Sequence, residues 1–180
     1  MAEDRRNLDA PDRAVQPLDE LCDEILVQHH AYAHVAVPRI RGHLAAVRER
    51  EPQAVPVELQ EVFTALADRL LNHLAKEENI LFPAIAAMAE AERTGRGRPL
   101  LPFPTVLHPI RMMESEHTSL AGGLEQLTTL AHGYVAPEGA SEATRRLMAE
   151  LATFRDQLVA HLQVENDVLF PRALELDGRL

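Results

Sequence analysis

An eleven-residue block that occurs twice constrains this chain more than any other feature. Residues 73–83 read HLAKEENILFP and residues 161–171 read HLQVENDVLFP; six of the eleven positions are identical, and Ile80/Val168 is a conservative pair. His73 and His161 stand 88 residues apart, and His30 and His117 stand 87 apart. The chain thus reads as two related helical hairpins, each with a lone His on its first helix and His-x-x-x-Glu on its second. On a helix, residues i and i+4 share one face, about 6 Å apart along the axis. His73 with Glu77, and His161 with Glu165, therefore project an imidazole and a carboxylate in the same direction.

The rest of the pattern is helical. Leu18, Leu21, Ile25 and Leu26 recur at spacings of three and four, as do Leu59, Phe63, Leu66, Leu70 and Leu74. A first helix is expected from about Leu18 to Arg50, bent at Pro38. A second should run from Pro56, in its first turn, to about Glu92. The Gly- and Pro-rich stretch 94–105 is the main linker. A third helix starts near Pro109 and ends near Gly133, and a fourth runs from a Ser141 cap to about Leu174. No strand-like alternation is present. The fold class is all-α, an up-down four-helix bundle over residues 18–180, preceded by a flexible segment, 1–17.

Composition decides what the bundle core can contain. Aromatic residues are 4% of the chain, Trp is absent, and Ala and Leu dominate, which suits helix packing. A core carboxylate without a partner costs several kcal/mol of desolvation. Two such carboxylates facing each other must be protonated, paired with cations or bound to metal. Cys22 is the only cysteine, so neither an intrachain disulfide nor a cysteine metal site can form. Four imidazoles beside two carboxylates make metal the natural answer, and suit a dinuclear centre with ions roughly 3.5–4 Å apart. The net charge of −10 repels phosphate backbones, which argues against nucleic acid. The apolar run Ile80 to Ala89 is too short to cross a bilayer, and the N-terminus lacks the apolar stretch of a signal peptide. A cytoplasmic protein with no membrane partner is expected.

Four blocks, ILVQHH around His30, HLAKEENILFP, MESEH ending at His117, and HLQVENDVLFPRAL, together resemble the hemerythrin-like family. Within it the chain is most similar to the di-iron proteins that repair iron–sulfur clusters. The resemblance runs from about residue 18 onward. It implies a bundle in which His30, His73, His117 and His161 ligate metal and Glu77 and Glu165 bridge it. The implied cofactor is two iron ions per chain, in preference to manganese or zinc, with an oxo or hydroxo bridge. The implied function is in nitrosative and oxidative stress: binding or reducing nitric oxide, or supporting iron–sulfur cluster repair with iron–sulfur proteins as partners. The alternative is a non-enzymatic module that binds O2 or NO, or senses iron. An enzyme would be a di-iron oxidoreductase acting on NO, O2 or peroxide.

Two departures from family patterns bear on function. Repair-type members carry an N-terminal domain with two adjacent cysteines, and the sequence has no counterpart, so poor repair by this chain alone is expected. Oxygen-carrying members place two His four apart on the third helix, where this chain has Met113 and His117. With Met113 packed against the site, both ions stay open to a small ligand. The hairpins are expected to serve one ion each, His30 with His73 and His117 with His161. Glu116 is a candidate for orienting a ligand or relaying protons, or a plain surface residue. His34 shares the face of His30, as its partner or as a satisfied structural histidine. His29 is expected at the edge of the bundle. Glu114 and His117 form one Glu-x-x-His, but a ferritin-like site needs two. Phe82 and Phe170 read as core plugs.

Overall fold

The structure, a computed structural model, describes residues 13–180. Most of the segment 1–17, expected to be flexible, lies outside the described residues. Within them the chain is helical, with no strand.

Four long helices account for it. Helix α1 comprises Leu18–Ile25, a π-helical turn Leu26–His30, and Ala31–Arg50. Helix α2 comprises Val57–Lys76, a π turn Glu77–Leu81, and Phe82–Thr94. Helix α3 spans Leu107–Leu130 and is followed by a 3-10 turn, His132–Tyr134. Helix α4 comprises Glu142–Val164, a π turn Glu165–Leu169, and Phe170–Arg179. No helix among the described residues is long and apolar enough to cross a membrane.

Local chemistry explains the ends. The Ser141 side chain accepts the Thr144 N–H at 3.1 Å and so caps α4. Gly95 closes α2 in the left-handed conformation, φ 65°, which a residue without Cβ adopts freely. The Arg96 N–H then reaches back to the Ala91 carbonyl at 3.0 Å. Pro56 stands just before the first helical residue of α2 rather than inside its first turn. Helix α1 continues through Pro38, leaving the His34 carbonyl without its usual donor.

The π turns are the main departure from uniform helical geometry. In each, an N–H bonds five residues back: Ala31 to Leu26, Phe82 to Glu77, and Phe170 to Glu165. Pro83 and Pro171 follow immediately, at the start of the next α-helical stretch, where a missing N–H costs least. Such turns are rare and concentrate at functional sites.

Packing divides the apolar interior in two. One cluster gathers Leu44, Leu59, Phe63, Leu66, Leu127, Leu147, Leu151 and Phe154. The other gathers Leu21, Ile25, Ile85, Met88, Ile110, Leu169 and Phe170. Helix α2 packs along α3, and α1 packs along both α2 and α4, whereas α3 and α4 touch sparsely. Gly123 allows the close approach of α3 to α2, since a Cβ there would lie 2.9 Å from Leu66 Cδ1.

Candidate metal centre

Six polar side chains meet deep in the bundle: His30, His73, Glu77, His117, His161 and Glu165, each 0–3% exposed. The π turns lie at this level. Glu77 and Glu165 each open one, and His30 closes the third. All six sequence-predicted ligand candidates thus come together.

The distances describe a ring of imidazoles around two carboxylates. His73 Nε2 lies 3.2 Å from Glu77 Oε1, and His30 Nε2 lies 3.5 Å from Glu77 Oε2. Glu165 Oε2 is 3.2 Å from His117 Nε2 and 3.4 Å from His161 Nε2, while its Oε1 is 4.0 Å from His30 Nε2. Each carboxylate therefore turns its two oxygens toward different imidazoles. His73, His117, His161 and Glu165 form one donor group compact enough for an ion, and His30, Glu77, His161 and Glu165 form another.

The imidazoles pair across hairpins. Ring centroids are 4.7 Å apart for His73 and His117 and 5.1 Å for His30 and His161, against 6.2 Å for His117 and His161. The closest imidazole contacts thus run between the hairpins, and His161 lies in both donor groups, whereas the sequence pattern pairs the two histidines of each hairpin. Helix α2 lies along α3, and α1 lies along α4 as well as along α2.

Neighbouring acceptors orient three of the rings. The His30 Nδ1–H donates to Glu78 Oε1 at 3.0 Å, and the His34 Nε2–H donates to the same oxygen at 2.8 Å. The His73 Nδ1–H donates to Glu116 Oε2 at 3.0 Å, and Lys76 Nζ donates to the other Glu116 oxygen. The His117 Nδ1–H donates to Asn166 Oδ1 at 2.8 Å. An acceptor at Nδ1 fixes the tautomer and turns the Nε2 lone pair inward, as metal-binding histidines require. Phe82 and Phe170 wall the site, 5.4 Å from the His30 ring and stacked 5.5 Å from the His117 ring. They belong to the core and also abut the imidazoles.

Whether these residues suit a metal can be tested on their own atoms. Both oxygens of Glu77 and of Glu165, both ring nitrogens of His161, and His30 Nε2 are buried without a hydrogen-bond partner. The Nε2 atoms of His73 and His117 face each other at 3.0 Å, which needs a proton or a cation between their lone pairs. Leaving so many buried polar atoms unsatisfied is costly, and a cation satisfies them together. The donor set of imidazole and carboxylate fits iron, manganese or zinc.

The electrostatics agree. Burial first, then the Glu77 charge, push the Glu165 carboxyl up from 4.5 to about 8. Burial drives His161 well below the ordinary imidazole value, and the charges of His30, His73, His117 and His29 act the same way. Burial and His73 lower His117 as well. For His73, burial works downward, but the adjacent Glu77 carboxylate outweighs it and raises the group. Burial also works to raise Glu78 and Glu116. The hydrogen bonds from His34 and His30, and from Lys76 and His73, win and lower both.

Around the six, the structure agrees with some readings of the sequence, narrows others and adds residues the sequence does not reveal. Glu116 flanks His117 in sequence, but its carboxylate orients His73 on the neighbouring helix. His34 is hydrogen-bonded to the acceptor of His30. His29, expected at the bundle edge, has its ring 5.8 Å from that of His161. Glu78 and Asn166 escaped notice, although the 88-residue offset relates them as it relates Glu77 and Glu165. Met113 is buried in the apolar cluster that contains Phe170.

Comparison with known proteins follows the same lines. Residues 21–173 match the Hemerythrin HHE cation binding domain. The chain is 31% identical over 168 residues to the "Iron-sulfur cluster repair protein YtfE" of Pectobacterium carotovorum subsp. carotovorum strain PC1, covering 92% of this chain and 70% of that protein. It is 31% identical over 160 residues to the protein of that name from Escherichia coli O157:H7, covering 88% and 67%. The Yersinia pseudotuberculosis serotype IB protein of that name is 32% identical over 162 residues, with coverage of 88% and 67%.

Proposed function

The chain belongs to the hemerythrin HHE cation-binding domain family, and from that premise we propose that it is a non-haem di-iron protein of nitrosative and oxidative stress. It acts in or beside iron–sulfur cluster repair, the function named for its relatives. In this reading residues 18–180 form one up-down bundle of two related hairpins. His30 and His161 would hold one ion and His73 and His117 the other, with Glu77 and Glu165 as the carboxylates between them. Bound iron supplies coordination positions and electrons for a diatomic ligand such as NO or O2, or is itself lent to a damaged iron–sulfur protein.

The observation that carries this reading is the set of orphaned donor atoms. Seven nitrogen and oxygen atoms of His30, Glu77, His161 and Glu165 are buried with no hydrogen-bond partner. A bundle core tolerates such a set when a cation is its partner. The chain's own contribution is orientation. Glu78, Glu116 and Asn166 hold three imidazoles with Nδ1 protonated and Nε2 inward, and Phe82 and Phe170 exclude water from one side. Met113 offers no imidazole, which favours a reactive centre over an oxygen carrier.

Anaerobic titration of the ferrous protein with nitric oxide, followed by its optical spectrum, tests this. New visible bands that saturate in proportion to bound iron are expected. A spectrum indifferent to nitric oxide would reject the nitrosative role.

A further inference from the structure

The four proposed ligand imidazoles are not held alike, and the differences fall at related positions of the two hairpins. His30 and His117 correspond, and so do their Nδ1 acceptors Glu78 and Asn166. Glu78 is a carboxylate that His34 also anchors. Asn166 is a neutral amide. A charge-assisted bond to carboxylate is about twice as strong as one to a neutral acceptor, and it makes the imidazole a stronger donor to metal. His73 likewise has a carboxylate, Glu116, pinned by Lys76.

The surroundings differ in the same sense. Helices α3 and α4 touch sparsely, and an open cleft of about 920 Å³ lies between them. Its lining includes His117 and Asn166, with Thr118, Ala121, Val159 and Leu162. Ala121 stands one turn beyond His117 and is exposed. His161 is packed among His29, His30 and His73 and, of the openings around the centre, borders only a crevice of about 10 Å³. Of the six, His117 alone lines this cleft.

We propose that His117 is the labile ligand of the centre: its imidazole swings into the α3–α4 cleft, and the ion it shares with His73 leaves and enters there first. No bond other than hydrogen bonds and metal–ligand bonds is made or broken, and no electron moves. This rests on the di-iron reading above and gives iron lending a definite door and order. Asn166 is a positioning residue in it, setting how readily His117 lets go.

The test is the release of iron from anaerobically loaded ferrous protein to a chromogenic ferrous chelator, read as a time course. Two phases of equal amplitude are expected. Asn166→Asp, which puts a carboxylate of the same shape in place, should slow the fast phase about tenfold, and Asn166→Leu should speed it by a similar factor. Ala121→Phe, which narrows the cleft from an exposed position, should also slow the fast phase, and Glu78→Gln should alter the slow one. A single phase, or a fast phase indifferent to both Asn166 variants and to Ala121→Phe, overturns the proposal. Loading well below two ions per chain would instead sink the di-iron reading, so the two failures are told apart.

Discussion

At the scale of single residues, the centre is a balance between burial and charge, and Glu165 shows it most clearly. Its carboxyl is fully buried beside Glu77 and raised from 4.5 to about 8, so in metal-free protein it keeps a proton that the unfolded chain would lose. The folded state then binds more protons than the unfolded state between those values, and stability falls as pH rises through them. His161 is depressed and acts oppositely, costing stability as pH falls below 6.5. Metal-free protein should therefore be most stable in mildly acidic solution. Metal affinity should climb toward pH 8, because an ion must displace the Glu165 proton. Thermal melts of metal-free protein and metal titrations, both across pH 5–9, check this. A metal-free melting point that rises steadily to pH 9 would show that Glu165 is already ionised.

Legibility at this scale was uneven. The duplicated block and the 87-residue spacing single out His30, His73, Glu77, His117, His161 and Glu165 in the sequence alone, because a repeated His-x-x-x-Glu carries its own control. Glu78 and Asn166 go unread in the sequence, and His29 reads there only as a bundle-edge residue. Their roles arise across helices, from a neighbour whose rotation no single helix specifies. Glu116 reads in the sequence as orienting a ligand, but which one is not legible there, since it turns from α3 toward His73 on α2.

At the scale of elements, the helices and their order were legible, while their interruptions were not. Apolar spacing locates α1 to α4 to within a few residues, apart from a C-terminus that runs on to Arg179. The π turns were invisible because one extra residue per turn leaves the apolar pattern nearly intact. Pro83 and Pro171 were the available hint, each just past a turn whose hydrogen bond skips five residues. Caps are independent of the site. Ser141 lies twenty residues before His161, about 30 Å along α4. Ser141→Ala should lower the unfolding free energy by about 1 kcal/mol in urea, with metal content unchanged. Loss of metal on that substitution would mean that the cap end and the centre are coupled.

At the scale of the whole molecule, two apolar clusters carry the fold and the polar centre is set into it. The cluster holding Phe63, Leu66, Leu147 and Phe154 contains none of the six site residues. Chelation should consequently lower the melting temperature while leaving the helical circular dichroism largely in place. Dichroism that collapses on chelation would show that the ions, not the core, hold the bundle together.

Metal analysis of protein produced with iron available, beside its Glu77→Ala/Glu165→Ala variant, bears most directly on the centre itself. The wild type should hold about two iron ions per chain, the count that two shared carboxylates and four imidazoles accommodate. The variant should keep its helical spectrum and lose most of that iron. A double variant that retains all of its iron would contradict the assignment of these six side chains to the metal centre.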